Sequence, residues 1–118
     1  MKSDAKTIEF VAIAKFLKYS PYKLRPLADV VRGKDLIYAL GWLNTYRNKR
    51  VEPVKKVIES AMANAKDRAG LEKSDLYISE IRIDEGPIFK YFKPGAMGRA
   101  NVQRRRFCHI SVKVSKKA

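Results

Sequence analysis

The sequence predicts an α+β chain, with elements in the order strand, three helices, strand, strand. Three observations predict it. Apolar residues alternate near both ends of the chain, the period-2 signature of strands. Three segments between them repeat apolar residues at helical spacing, bounded by capping residues, prolines and glycines. One long stretch, FKYFKPGAMGRANVQRRRF from Phe89 to Phe107, belongs to neither pattern, because it has four arginines, no acid and too few aliphatic residues to build a core.

The first strand lies in KTIEFVAIAKFLK, residues 6–18. Ile8, Phe10, Ala12, Ala14 and Phe16 share one alternating face, and Val11, Ile13 and Leu17 add apolar character to the other. Such a strand is expected to be partly covered on both sides. SPYKLRPLADVVRG then reads as a helix, with Ser20 at the N-cap, Pro21 at the first helical position and Gly33 at the end. Pro26 either kinks this helix or, if regular helix begins nearer Lys23, falls harmlessly in its first turn.

KDLIYALGWLNTY predicts a short second helix capped by Asp35, with Leu36, Ala39, Leu40 and Leu43 facing the core. VEPVKKVIESAMANAKDRAG has the clearest helical pattern: Pro53 opens it, Val54, Val57, Ile58, Ala61, Met62 and Ala65 form its stripe, and Gly70 stops it. In LYISEIRID, residues 76–84, Leu76 and Ile78 are out of phase with Ile81 and Ile83. That slip predicts a bulge near Ser79–Glu80 or a strand that changes the surface it covers. FCHISVKV, residues 107–114, alternates without a break, with Cys108, Ile110, Val112 and Val114 inward.

The last two strands pair most simply as an antiparallel hairpin turning near Pro94-Gly95. The expected organisation is one domain, 1–118, with a body of about 1–84 and 107–118 and an extended arm of about 85–106. At about 3.3 Å per residue each arm can project roughly 30 Å. Isolated hairpins of that length are rarely stable in water, so the arm calls for a partner.

Charge names the class of that partner. Lys and Arg number 26 against 12 acids, a formal net charge of +14. A small domain needs only about 2 to 8 charges for solubility. Every acid lies at or before Glu85, so the final 33 residues carry most of the field. A polyanion is implied, nucleic acid before anionic membrane. Arginine forks match phosphate oxygens and stack on bases. Arg104, Arg105 and Arg106 alternate across a strand, so only a partner on both faces neutralises all three. Lys90, Lys93 and Arg99 extend the pattern, and Phe89, Tyr91 and Phe92 suit stacking on unpaired bases. On the body, Lys15, Lys18, Lys23, Arg25 and Arg32 gather around the first strand and helix, where a helix N-terminus also favours phosphate. The lysines and arginine of the third helix, Lys55, Lys56, Lys66 and Arg68, read as a solvated face.

Enzyme readings fail on inventory. Cys108 and His109 are the single thiol and the single histidine, but strand neighbours point to opposite faces. Asp84-Glu85 fails as an acid/base pair for the same reason. Metal ligands are too few for zinc, and no cofactor motif is present. Gly95-Ala-Met-Gly98 matches the GxxG loop of KH domains, but that loop joins helices and this one lies between strands. With one cysteine no internal disulfide forms, which suits a reducing compartment. The N-terminus lacks a signal-peptide stretch and no segment is apolar enough to span a membrane, so the expected location is cytoplasmic. A free-standing regulatory RNA- or DNA-binding module is the alternative of a different class.

SPYKLRPLADVVRGK, SAMANAKDRAGL, LYISEIRIDEGP and GRANVQRRRFCHISVKV resemble, in that order, the large-subunit ribosomal protein twenty-two family. The resemblance runs from about Lys15 to Val114. It implies three helices packed on a small three-stranded antiparallel sheet with a long protruding β-hairpin. It implies a structural protein that binds and bridges domains of 23S-type rRNA during assembly, without enzymatic activity, cofactor or homo-oligomer. Its implied partners are large-subunit rRNA, neighbouring ribosomal proteins and the nascent peptide. Lys15, Lys18, Lys23, Arg25, Arg32, Lys90, Lys93, Arg99, Arg104, Arg105, Arg106 and His109 would make the rRNA contacts. By position, the tip lining the exit tunnel would run from Phe89 through Pro94, Gly95, Ala96 and Met97 to Gly98. Family members usually carry basic residues where this chain has Tyr91, Gly95 and Met97, so this tip is less charged and more aromatic. Pro26 is a further departure.

Overall fold

The computed structural model describes residues 9–46, 48–94 and 100–117, with backbone alone for 89–94 and 100–105. Its elements follow the expected order: β1 (Glu9–Leu17), α1 (Pro21–Val31), α2 (Leu36–Thr45), α3 (Val51–Ala69), a 3-10 turn (Lys73–Asp75), β2 (Leu76–Pro94) and β3 (Ala100–Lys116). The sheet order is β1-β3-β2, antiparallel throughout. β3, the most regular alternation in the sequence, takes the centre. It buries Cys108, Ile110, Val112 and Val114 beneath Leu24 and Val31 of α1, Leu36 and Leu43 of α2, and Val54 and Ile58 of α3. Each such aliphatic side chain contributes about 1.5–3 kcal/mol on burial.

Two left-handed glycines end helices as expected. Gly70, at φ 64°, closes α3 with its N–H on the Lys66 carbonyl. Gly33, at φ 76°, follows α1 and donates to the Ile78 carbonyl at 3.0 Å, bringing the helix end onto β2. The expected caps hold their positions but not their bonds. Neither the Ser20 hydroxyl nor the Asp35 carboxylate caps its helix. Asp35 instead pairs with Lys117 at 3.2 Å. Pro26 lies inside α1, so the helix begins at Pro21 and the reading that moved its start to Lys23 is not adopted.

The phase slip in β2 is a bulge. Pairing skips from Ile78↔Val114 to Glu80↔Lys113, which returns Ile81 and Ile83 to the buried face of Leu76 and Ile78. The Ser79 hydroxyl lies 3.1 Å from the Lys113 carbonyl and 3.2 Å from the Glu9 carboxylate. It also accepts a hydrogen bond from the buried Ser115 at 3.1 Å.

β1 departs from its expected pattern. Phe10 and Ala12 are buried, but the register shifts between Ala14 and Leu17. Phe16 sits at φ 57° and is 59% exposed, while Leu17 turns onto the core in its place. The inward position expected for Phe16 is therefore wrong, because one extra residue inverts the alternation. On the other face Val11 and Ile13 are exposed, not partly covered. Ile8 lies outside the described residues.

β1 stops opposite Cys108, whereas β2 and β3 stay paired to Pro94↔Ala100. Beyond the body the sheet therefore narrows to a two-stranded arm. The molecule measures 65 × 33 × 24 Å, with a radius of gyration of 17.9 Å. A compact domain of this length has about 13.5 Å. A second register shift, between Glu85 and Ile88, marks the root of the arm at Gly86 and Pro87.

Candidate nucleic-acid interface

The arm's basic positions are fixed by backbone register. Lys90 pairs with Arg104, Phe89 with Arg105, Ile88 with Arg106 and Lys93 with Asn101. Tyr91, Phe92 and Pro94 complete the described part of β2. Gly95, Ala96, Met97, Gly98 and Arg99 lie outside the described residues, so the expected tip and turn do too.

At the root, side chains converge. Tyr22 on α1 is 56% exposed, and its hydroxyl donates to Glu85 at 2.8 Å. The Arg25 guanidinium lies 5.3 Å from the Tyr22 ring centroid and that of Arg106 lies 5.7 Å from it. Both are within cation–π range, so one ring holds two cations close together on a chain already strongly positive. This brings Arg25 of the body and Arg106 of the arm into one cluster. Sequence reasoning named both arginines and missed Tyr22. The available signal was an aromatic residue between Pro21 and Lys23 on an otherwise polar helix face.

Arg25 and Arg32 have a second role. β2 is an edge strand, and its outward carbonyls need donors. Arg25 reaches the Ile83 carbonyl through Nε at 3.3 Å and Nη2 at 3.2 Å. Arg32 reaches the Ile81 carbonyl at 3.0 Å and Asp29 at 2.6 Å. Further along, Ile78 donates to the Lys34 carbonyl at 3.0 Å. On the opposite edge Asn64 donates to the Val11 carbonyl at 3.1 Å. The two arginines thus hold α1 to the sheet edge and present cationic surface at once.

His109 is likewise engaged within the chain. Its Nδ1 accepts the Phe16 N–H at 3.1 Å, and the two rings meet edge-on with centroids 5.0 Å apart. Only Nε2 remains for any other partner. Lys15, Lys18 and Lys23 are exposed on β1, after it and in the first turn of α1.

These roles separate by substitution. Arg25→Ala is expected to cost about 1 kcal/mol of folding stability, because it removes a hydrogen bond from a charged group to an edge carbonyl. Lys23→Ala should leave the thermal midpoint unchanged. Thermal denaturation of both variants checks this, and equal midpoints would remove Arg25 from its structural role.

Cys108 is fully buried, and that burial raises its thiol pKa above the ordinary range, away from the reactive thiolate. Among the described residues no group of three or more His, Cys, Asp or Glu is placed to hold a metal ion. No described helix is long and apolar enough to cross a membrane.

Comparison with known proteins agrees with the sequence motifs. The family described as ribosomal protein L22p/L17e matches residues 12–115. The large ribosomal subunit protein uL22 of Syntrophomonas wolfei is 46% identical over 106 residues, covering 89% of this chain and 93% of that protein. The uL22c protein of Chlorokybus atmophyticus is 45% identical over 107 residues, 91% of this chain and 90% of its own. The uL22 protein of Desulforamulus reducens is 44% identical over 110 residues, 93% and 97% of the two chains. With nearly its whole length matched at this level, the chain belongs to the ribosomal protein L22p/L17e family.

Proposed function

We propose that the protein is a structural constituent of the large ribosomal subunit, located in the ribosome, where it binds and bridges rRNA. The membership of its family supports a non-enzymatic role in translation. The observation that carries the rRNA reading is the acid-free arm. From Gly86 onward two strands continue without the third, in the segment that holds most of the net charge. Phosphates around that arm neutralise Lys90, Lys93, Arg99, Arg104, Arg105 and Arg106, and bases stack on its aromatic residues. Lys15, Lys18, Lys23, Arg25 and Arg32, with His109 beside them, anchor the body. The tip from Phe89 to Gly98 lines the nascent-peptide exit tunnel, and neighbouring ribosomal proteins complete its surroundings.

A tagged copy sedimented through a sucrose gradient should migrate with large subunits, and a slow free peak alone would defeat the reading. Binding to large-subunit rRNA should be strongly salt-dependent. Six or more phosphate contacts predict a loss of about 10³-fold or more between 50 and 200 mM salt. A filter-binding titration at several salt concentrations measures the slope, and a flat profile contradicts polycation binding.

A further inference from the structure

α2 is unlike the rest of the surface. In a chain that is 32% charged, its ten residues LIYALGWLNT include no Asp, Glu, Lys, Arg or His. Leu36, Ala39, Leu40 and Leu43 face the core, and the opposite face carries Ile37, 49% exposed, and Tyr38, 54% exposed. Trp42, half-buried, stacks on the exposed Tyr46 with centroids 4.9 Å apart. Tyr38 and Trp42 follow at i and i+4 on the helix, and Tyr46, its C-cap residue, extends the stripe at i+8.

Gly41 lies within this face, and its own chain gives no reason for a glycine there. Its φ is not positive, and a Cβ added to it would meet nothing within 4 Å. Glycine inside a helix is less stable than alanine and leaves the backbone bare. Bare backbone beside an aromatic stripe is useful to a partner that approaches the helix closely. Charge identifies the partner. The Lys34 ammonium sits 5.7 Å from the Tyr38 ring centroid at one end of the helix. Lys49 and Arg50 follow in the turn after the other end. Asp35, the acid nearest the stripe's start, is paired with Lys117. An aromatic stripe between cations suits unpaired nucleotides, whose bases stack while their phosphates meet the rim.

We infer that the outer face of α2 with its C-cap, built by Tyr38, Gly41, Trp42 and Tyr46, is a further RNA site that takes an unpaired stretch of a few nucleotides against the helix backbone. This deepens the rRNA reading and rests on it. Trp42 is the single tryptophan of the chain, so its fluorescence reports on the face directly. The experiment titrates the full-length protein with large-subunit rRNA and with an unstructured ten-nucleotide RNA. Both should quench Trp42. Tyr38→Ala should weaken the short RNA about tenfold, in line with base-stacking energies. Gly41→Ala should also weaken it, although the same substitution raises the thermal midpoint by about 3 °C. That opposition separates a binding role from a folding role. If rRNA binds and Trp42 emission does not change, the α2 site is wrong and the rRNA reading stands. If neither RNA binds, both fall. Quenching that requires added ribosomal proteins would make the occupant a protein and overturn the inference.

Discussion

Substituting Gly86 by alanine is expected to destabilise the protein by about 1 kcal/mol, and by valine by about 2–3 kcal/mol. Gly86 sits in the register shift between Glu85 and Ile88, where the arm leaves the body. A Cβ there would lie 3.1 Å from both the carbonyl carbon and oxygen of Phe107 and 3.2 Å from its Cβ. Such distances need a few tenths of an ångström of relief, and the nearest atoms are main chain. Phe107 belongs to β3, which is tied to β2 on one side and meets the end of β1 at Cys108 on the other. Relief therefore means moving paired strands, not rotating a side chain. Gly86 has no positive φ, so the cost is steric and grows with side-chain size. Thermal unfolding should show midpoints lower by about 4 °C per kcal/mol. Gly41→Ala provides the contrast, because open space there predicts the opposite sign. An unchanged midpoint in Gly86→Val would mean that the strands at the root are free to part.

The root also shows what the sequence could and could not reveal. Local periodicity recovered the helices, the central strand and the phase slip at Ser79, for which a bulge is one of two readings, because each leaves a pattern within about ten residues. The slip at Phe16 leaves none: the group that takes the Phe16 N–H there, His109 Nδ1, lies 93 residues away. The double use of Arg25 and Arg32 was equally hidden, since charge predicts a partner but not which one. Their carbonyl acceptors on β2 lie 58 and 49 residues further along. The close approach at Gly86 belongs to the same class, because its neighbour Phe107 lies on the other strand of the arm. Of the candidate site, the sequence supplied the residue types and the arm. The gathering of Arg25, Arg106 and Glu85 around Tyr22 came from packing alone.

Replacing Arg104, Arg105 and Arg106 together by glutamine is expected to weaken rRNA binding by about 10²- to 10³-fold near 0.1 M salt. Each phosphate contact contributes roughly 0.7–0.9 to the slope of log affinity against log salt, so three lost contacts flatten it by about 2 to 3. The three residues should not contribute equally. Arg106 already shares Tyr22 with Arg25, so part of its charge works at the root. Arg104 and Arg105 stand opposite Lys90 and Phe89, farther along the two-stranded arm. Arg106→Gln alone should therefore lower stability slightly as well as affinity, whereas the Arg104→Gln and Arg105→Gln changes act on affinity. Glutamine keeps a polar, hydrogen-bonding side chain while removing the charge, so the salt slope isolates the loss of charge. Salt titrations of the triple variant and the three single variants separate these contributions. A triple variant with the parental slope would show that the arm's arginines face no phosphate, and the bridging role would then pass to the body.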